Sequence, residues 1–336
     1  MSAALKFKKD LRRRAKETHA RILFPDALDV RTLRAARIIT DGNILQVTLV
    51  GLSKEIQSLA EKENISLRNI SVEDLSSSQH SEELTAKYFA LRKRKNISIG
   101  EVKRAMENPL FHAGMLLHLG YAEGVVAGSL SSTADVLRAG IQCVGLANGI
   151  SIVSSYFLVI FPEKLYCFAD CGVVPEPNVT QLADIAIDAA QNFQRVTGMQ
   201  PRIAMLSFST HGSAEHESVV KVREATAIVK EKTGNVKPSF IIDGELQFDA
   251  ATDPEVARRK APDSPLQGMA NILIFPDLNA GNIGYKIAER MGGAQAIGPI
   301  VQGLAKPFFD LSRGCTVEDI IDAACIAAIT AKDSAL

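Results

Sequence analysis

The chain of 336 residues has no tryptophan, and aromatic residues make up only 6% of it. Nor does it carry an excess of charge: 38 basic side chains face 38 acidic ones. Neutralising nucleic-acid phosphates calls for a net basic surface, so a nucleic-acid partner is disfavoured. Cysteine is sparse, five in all, and that odd number argues against a disulfide scaffold. The longest apolar run, Ile150 to Phe161, is interrupted by Ser151, Ser154 and Ser155 and is too short to span a bilayer. The basic stretch from Met1 to Lys16 lacks the apolar segment of a secretory signal. It reads as a basic, solvated helix, and Asp10 and Glu17 weigh against a mitochondrial presequence. The expected location is a reducing cytoplasm, with no membrane partner. Familiar short motifs are missing as well: no G-x-G-x-x-G, no G-x-x-x-x-G-K-[ST], no G-x-S-x-G and no H-E-x-x-H.

What is present is an ordinary globular composition, 46% hydrophobic and 23% charged. Such a chain buries roughly 75% of its unfolded surface and needs no staples. Short apolar runs alternate with longer amphipathic ones, which predicts α/β architecture: two three-layer domains with mostly parallel sheets. In the first half, strands are expected at Arg21–Pro25, Gln46–Val50 and Glu123–Ala127, and helices at Val30–Thr40, Lys54–Glu63 and Thr133–Leu146. Ser81 to Leu119 reads as mainly helical, punctuated by Asn108-Pro109. In the second half, strands are expected at Ser151–Phe161, Tyr166–Ala169, Arg202–Leu206, Phe240–Ile242 and Asn271–Phe275. Thr180 is expected to cap a helix through Phe193, with Asp184 and Asp188 turned away from its buried face. A helix over Ser213–Lys232 and a last helix over Thr316–Ala331 complete the pattern. The expected domains are 1–148 plus 300–336, closed by the last helix, and 149–299, with a cleft between them.

Open α/β sheets bind ligands at the carboxyl ends of their strands, and two segments there carry chemistry. In GSLSSTADVLR, Gly128 to Arg138, small residues follow a strand and open a helix. Backbone amides and the Ser132 and Thr133 hydroxyls would converge on one spot, an anion site or simply a helix cap. In DLSRGCTVED, Asp310 to Asp319, a hydroxyl, a guanidinium, a thiol and a carboxylate crowd a helix start. Thr316 and Asp319 have the spacing of a capping box, so Asp319 either starts the helix or serves as a base. Ser312 and Arg313 are placed to steady an oxyanion. His211 and His216 are five apart, which is wrong for one helix face, and no metal site is expected. Cys167 and Cys171 read as buried or cleft-lining thiols, Cys143 and Cys325 as core residues.

Six segments, SSTADVLR, FADCGVVPEPN, MLSFSTHGSA, DGELQFDAA, KAPDSPLQGMANILIFPDLNAGNIGYK and AIGPIVQGLAKPFFDLSRGC, occur in one order along the chain. In these the chain resembles the phosphate acetyl/butaryl transferase family. The resemblance runs from RILFPDALDVRTLRAA to LSRGCTVEDII. It implies reversible acetyl transfer between acetyl-CoA and inorganic phosphate, giving acetyl phosphate and CoA, in acetate metabolism. It implies a site in the interdomain cleft, usually of a homodimer, with CoA as substrate and neither cofactor nor metal. It also implies direct attack in a ternary complex. Asp319 matches the base, and Ser312 and Arg313 match residues that position substrate. Arg31, Arg92 and Arg138 match substrate-binding arginines, Ser132 and Thr133 the phosphate-side loop, and Cys171 and Cys315 cysteines that line the site without attacking. The chain departs from its relatives where Ser131 replaces a His, Ala139 a Pro, His211 a Lys and Phe309 an Asn. Phe309 and His211 leave the acyl group open, so a phosphate butyryltransferase stands beside the acetyl reading. A silent acyl-CoA sensor, or a metal- and NAD-dependent hydroxy-acid dehydrogenase on a similar fold, are the readings from other classes.

The chemistry sets one condition in advance. An ordinary aspartate, pKa about 3.9, takes a proton from a thiol of about 8.5 uphill by roughly 6 kcal/mol. A carboxylate at this site therefore needs a neighbouring cation to stabilise the thiolate, or desolvation to raise its own basicity.

Overall fold

The computed structural model describes residues 3–234 and 240–332. The chain begins with helix α1, Ala3–Lys16. Strand β1 (Arg21–Phe24) leads into α2 (Val30–Asp41), which starts under the Asp29 side chain. Then come β2 (Gln46–Gly51), α3 (Ser53–Lys62) and β3 (Ser71–Asp74). The helical stretch resolves into α4 (Ser81–Arg92), α5 (Ile99–Met106) and α6 (Pro109–Leu119). Asn108 caps α6 with Pro109 at its first position, where a missing amide costs nothing. Strand β4 (Gly124–Ala127) is followed by α7 (Thr133–Cys143). Helix α7 stops short of the expected Leu146 because Gly145 takes φ +83° and Leu146 bridges to Leu304.

The chain then enters a second unit. Strands β5 (Ser154–Ile160) and β6 (Leu165–Ala169) form an antiparallel hairpin. Helix α8 runs Val179–Thr197 and is capped by Asn178, not Thr180. Asn178 and Gln181 form a reciprocal capping box at 2.9 Å in both directions, which satisfies two terminal amides where Thr180 would satisfy one. The expectation that Asp184 and Asp188 face away is also corrected: both are buried. Helix α8 is covered by the sheet on one side and on the other by α9 (Glu217–Thr233), which follows strand β7 (Arg202–Leu206). Asp184 is satisfied there by Ser151 and by Lys232 at 2.9 Å. Helix α9 starts after His216 and not at Ser213, whose hydroxyl instead accepts from the Thr210 amide within the preceding turn. Strand β8 (Ile241–Leu246), helices α10 (Phe248–Thr252) and α11 (Pro254–Lys260), β9 (Ile272–Ile274), α12 (Leu278–Arg290) and β10 (Gln295–Gln302) complete this unit. Its six-stranded sheet runs β10-β5-β6-β9-β7-β8, parallel from β6 to β8 and antiparallel at the β10 end.

Strand β11 (Phe308–Asp310) and helix α13 (Val317–Lys332) return to the first unit. That unit comprises the described residues of Phe7–Ala147 and Leu304–Leu336, and the second those of Met1–Lys6 and Asn148–Gly303. Two α/β units with mostly parallel sheets are therefore the architecture. The first sheet, β11-β4-β1-β2-β3, is entirely parallel. Its core gathers Leu23, Val50, Val125 and Phe308 against α6 and α7. Helix α13 covers the sheet beside α2. Helix α1 is more than a solvated basic helix: Leu11 and Ala15 are buried, Lys8 pairs with the buried Asp322 at 2.7 Å, and Arg12 pairs with Glu318. No described helix is long and apolar enough to cross a membrane.

Candidate active site

Because the first sheet is parallel, its strands deliver three loops to one edge: 25–29 after β1, 128–132 after β4 and 311–316 after β11. The loop after β4 does turn its amides to one place, but the place is filled by the chain itself. Asp26 Oδ2 accepts from the amides of Gly128 (2.7 Å), Leu130 (3.1 Å) and Ser131 (3.4 Å), and its Oδ1 from the Ser131 hydroxyl at 2.6 Å. A carboxylate suits such a cluster of N–H groups for the reason that any anion does. The anion spot expected from these amides is thus an internal tie between β1 and β4. Ser132 caps α7, accepting from the Asp135 amide at 3.2 Å and donating to its carboxylate at 2.7 Å. Arg138 pairs with the same Asp135 at 2.6 Å and is half exposed. Thr133 is exposed, at the start of α7.

The loop after β11 is held from behind by Arg31. Its guanidinium donates to the carbonyls of Arg313 (2.9 Å), Cys315 (2.7 Å) and Ser129 (3.0 Å) and grips the Asp29 carboxylate at 2.6 Å. Burial alone would raise Asp29, but the Arg31 side chain, the Arg31 amide and Ser129 outweigh it and hold the carboxyl below its usual range. A guanidinium has five N–H donors, and Arg31 employs all of them within the protein. Ser312 and Arg313 are exposed on this loop. The Ser312 hydroxyl accepts from the Gly314 amide at 3.2 Å, and the Arg313 guanidinium has no hydrogen-bond or ion-pair partner among the described residues. Cys315 is buried, and that burial pushes its thiol up to about 11, with Arg31 opposing and Asp319 and Asp29 adding. Asp319 completes the capping box of α13: its Oδ2 accepts from the Thr316 amide (2.8 Å) and hydroxyl (2.9 Å), and its amide donates to Thr316 Oγ1 at 3.2 Å.

Ser312, Arg313 and Cys315 thus lie on the loop after β11, Arg31 reaches that loop from α2, Asp319 caps the helix that follows it, and Ser132, Thr133 and Arg138 lie along the start of α7. Arg92 stands apart, at the end of α4, where its charge acts on Tyr88 and Cys143. Cys171 belongs to the second unit, fully buried, its carbonyl accepting from Asn282 and its thiol pushed well up by burial. His211 is turned to Asp243 at 2.9 Å in that unit. Two residues escaped the sequence reading, Asp26 and Asp310. Both are single polar residues at the carboxyl end of a buried strand, which is the signal that marks them. Beside Asp26 a cavity of about 660 Å³ opens at the ends of β1 to β3, lined by Pro25, Leu28, Val50, Leu52 and Leu130.

The profile of the phosphate acetyl/butaryl transferases matches residues 6–328. The chain belongs to that family. A phosphate acetyltransferase of Acetivibrio thermocellus is 42% identical over 98% of this chain and 99% of its own. Another, of Thermoanaerobacterium thermosaccharolyticum, is 44% identical over 95% of this chain and 97% of its own. Among solved structures, a phosphotransacetylase of Streptococcus pyogenes superposes with a TM-score of 0.93 at 38% identity, covering 99% of this chain and all of that one. As a member of the phosphate acetyl/butaryl transferases, the chain is an acyltransferase.

Proposed function

We propose that the chain moves an acetyl group reversibly between acetyl-CoA and inorganic phosphate by direct attack within a ternary complex. The observation that carries this reading is Arg313: an exposed guanidinium with no hydrogen-bond or ion-pair partner among the described residues, beside the Ser312 hydroxyl, on a loop that Arg31 holds in place. A guanidinium in that state suits a phosphate, which it can bind in bidentate fashion. Arg138 and Arg92 are further cations for the anionic substrates. Arg31 contributes by holding the loop, since its own donors are all engaged.

In the direction of CoA attack, the thiol sulfur adds to the acetyl carbonyl of acetyl phosphate. Arg313 and Ser312 stabilise the oxyanion, and phosphate departs with the bonding electrons. Asp319 receives the thiol proton. The cationic Arg313 lowers the cost by stabilising the thiolate. In reverse, a phosphate oxygen attacks the thioester and the thiolate leaves. Cys315 and Cys171 are buried with thiols raised by that burial, which favours direct transfer over an acyl-cysteine route.

Two further parts of the reading concern assembly and place. Helix α12 exposes Ile283 and Ile287, and Met291 at its C-terminal cap continues the four-residue spacing, an apolar stripe that suits a second copy of this chain in a homodimer. The even charge balance fits work in the cytoplasm. The test of the reaction is Arg313→Gln, assayed for acetyl phosphate formation from acetyl-CoA and phosphate. A loss of roughly 10²–10³-fold is expected, and unchanged turnover contradicts the assignment.

A further inference from the structure

Helix α13 is buried on every side. From Ile320 to Thr330 all of its residues are buried, and Asp322 is the one charged residue among them. Ala323, Ala324, Ala327 and Ala328 make much of its surface small and even. Apolar packing of such a helix gives stability more readily than it gives a unique rotation. Yet its first turn carries Asp319, whose carboxylate accepts from Thr316 at the edge of the site. A slip of one residue turns a helical side chain by about 100°. The position of that carboxylate therefore depends on what fixes the helix.

Helix α1 supplies charged rungs. Lys8 Nζ lies 2.7 Å from Asp322 Oδ2, and one turn on Arg12 reaches Glu318. The partners ascend by four residues along α1 and descend by four along α13, so the rungs run in antiparallel order. Leu11 and Ala15 share the same stripe of α1 and are buried. The two rungs differ in kind. Glu318 is half exposed, and pairs of that sort contribute little. Asp322 is fully buried, and neither of its oxygens accepts an aligned hydrogen bond among the described residues. The Lys8 ammonium is the cation in contact with it. Burial raises the Asp322 carboxyl against the Lys8 and Arg12 charges, with Glu318 adding to the rise.

A buried ion pair adds little stability over apolar side chains of similar size, because desolvation offsets the attraction. It does discriminate among alignments, since any other rotation leaves the carboxylate buried without its cation. We propose that Lys8 and Asp322 are positioning residues for the acyl transfer: the pair fixes the rotation and register of α13, and so holds the Asp319 carboxylate, one turn before Asp322, against the loop that carries Ser312 and Arg313. The proposal rests on Asp319 acting as the base in the reading given above. Every residue in it belongs to the first unit.

The test compares Lys8→Arg, Lys8→Met and the double variant Lys8→Met with Asp322→Asn, each in the full chain. Three quantities are read: the kinetics of acetyl phosphate formation, the melting temperature, and amide hydrogen exchange over the peptide from Ser312 to Asp322. In that peptide the Asp319 amide donates to Thr316 Oγ1 and the Ile320 amide to Thr316 O. Lys8→Arg keeps a cation and is expected to keep wild-type turnover. Lys8→Met is expected to lower kcat about tenfold or more. Its KM for phosphate stays unchanged, because Arg31 still holds the loop of Arg313. Exchange at the start of α13 becomes at least about tenfold faster. The double variant has no unpaired buried charge, so its melting temperature returns toward wild type while kcat and exchange stay as in Lys8→Met. A double variant that regains turnover along with stability would reduce the pair to a structural contact and overturn the proposal. So would wild-type kcat and exchange in Lys8→Met. If Lys8→Met does not fold, the double variant carries the same comparison against wild type. Failure of the acetyl-transfer reading is separate: it shows as no phosphate-dependent CoA release by wild type, while exchange still reports whether the pair fixes the helix start.

Discussion

The Arg31 guanidinium donates to the Arg313 carbonyl at 2.9 Å, joining the start of α2 to the loop after β11. The same guanidinium holds Cys315 O, Ser129 O and the nearly buried Asp29, so one side chain fixes two loops and a helix cap. Arg31→Lys keeps the charge and loses the fork. It is expected to lower turnover at least tenfold with the fold retained, whereas Arg31→Ala also leaves Asp29 unpaired and destabilises by about 2–4 kcal/mol. Urea unfolding beside steady-state kinetics checks both.

Asp319 has two duties that can be separated. Its carboxylate caps α13 through Thr316, and an asparagine side-chain oxygen can accept the same two hydrogen bonds but cannot take a proton. Asp319→Asn is therefore expected to keep its melting temperature and lose turnover by roughly 10²–10⁴-fold. Asp319→Ala is expected to lose about 1 kcal/mol of stability in addition. Turnover retained in the Asn variant would reduce Asp319 to a cap.

Asp188 sets a pH dependence in the second unit. Burial pushes its carboxyl up to about 7, with Asp184 adding and Arg195 opposing. A folded value above the unfolded one means that the folded state holds the extra proton. Its contribution is complete below about pH 4 and is lost as pH rises through about 7. Asp188→Asn stays neutral throughout. At pH 8 it is expected to be more stable than wild type by about 2–4 kcal/mol, with the gain shrinking as pH falls toward 4. Chemical denaturation at pH 5 and pH 8 reads the difference.

The stripe on α12 makes a prediction about assembly. A charge placed at its centre, Ile287→Glu, would have to be buried unpaired in a dimer interface. The variant is expected to scatter light as a monomer and wild type as a dimer at the same concentration.

Much of the architecture was legible because the signals are local. Buried parallel strands read as continuous apolar runs, and β1, β2 and β4 all fall where such runs occur. Strand β3 was invisible, since Ser71–Asp74 is a polar edge strand. Asp184 and Asp188 misled because helical periodicity assumes one buried face, and α8 is covered on two sides. At the site, the amides after Gly128 mark a place for an anion. That the anion is Asp26, 102 residues earlier, is a tertiary fact that no local pattern carries. The engagement of every Arg31 donor and the burial of Asp310 are of the same kind: both depend on which loops the sheet order brings together.

The central claim is tested most directly by following release of the CoA thiol from acetyl-CoA with and without inorganic phosphate, and again with butyryl-CoA. The account predicts release that depends on phosphate and is faster with the acetyl thioester. Faster release from butyryl-CoA would move the substrate and keep the mechanism. No phosphate-dependent release from either, by a folded protein that still binds CoA, would contradict it.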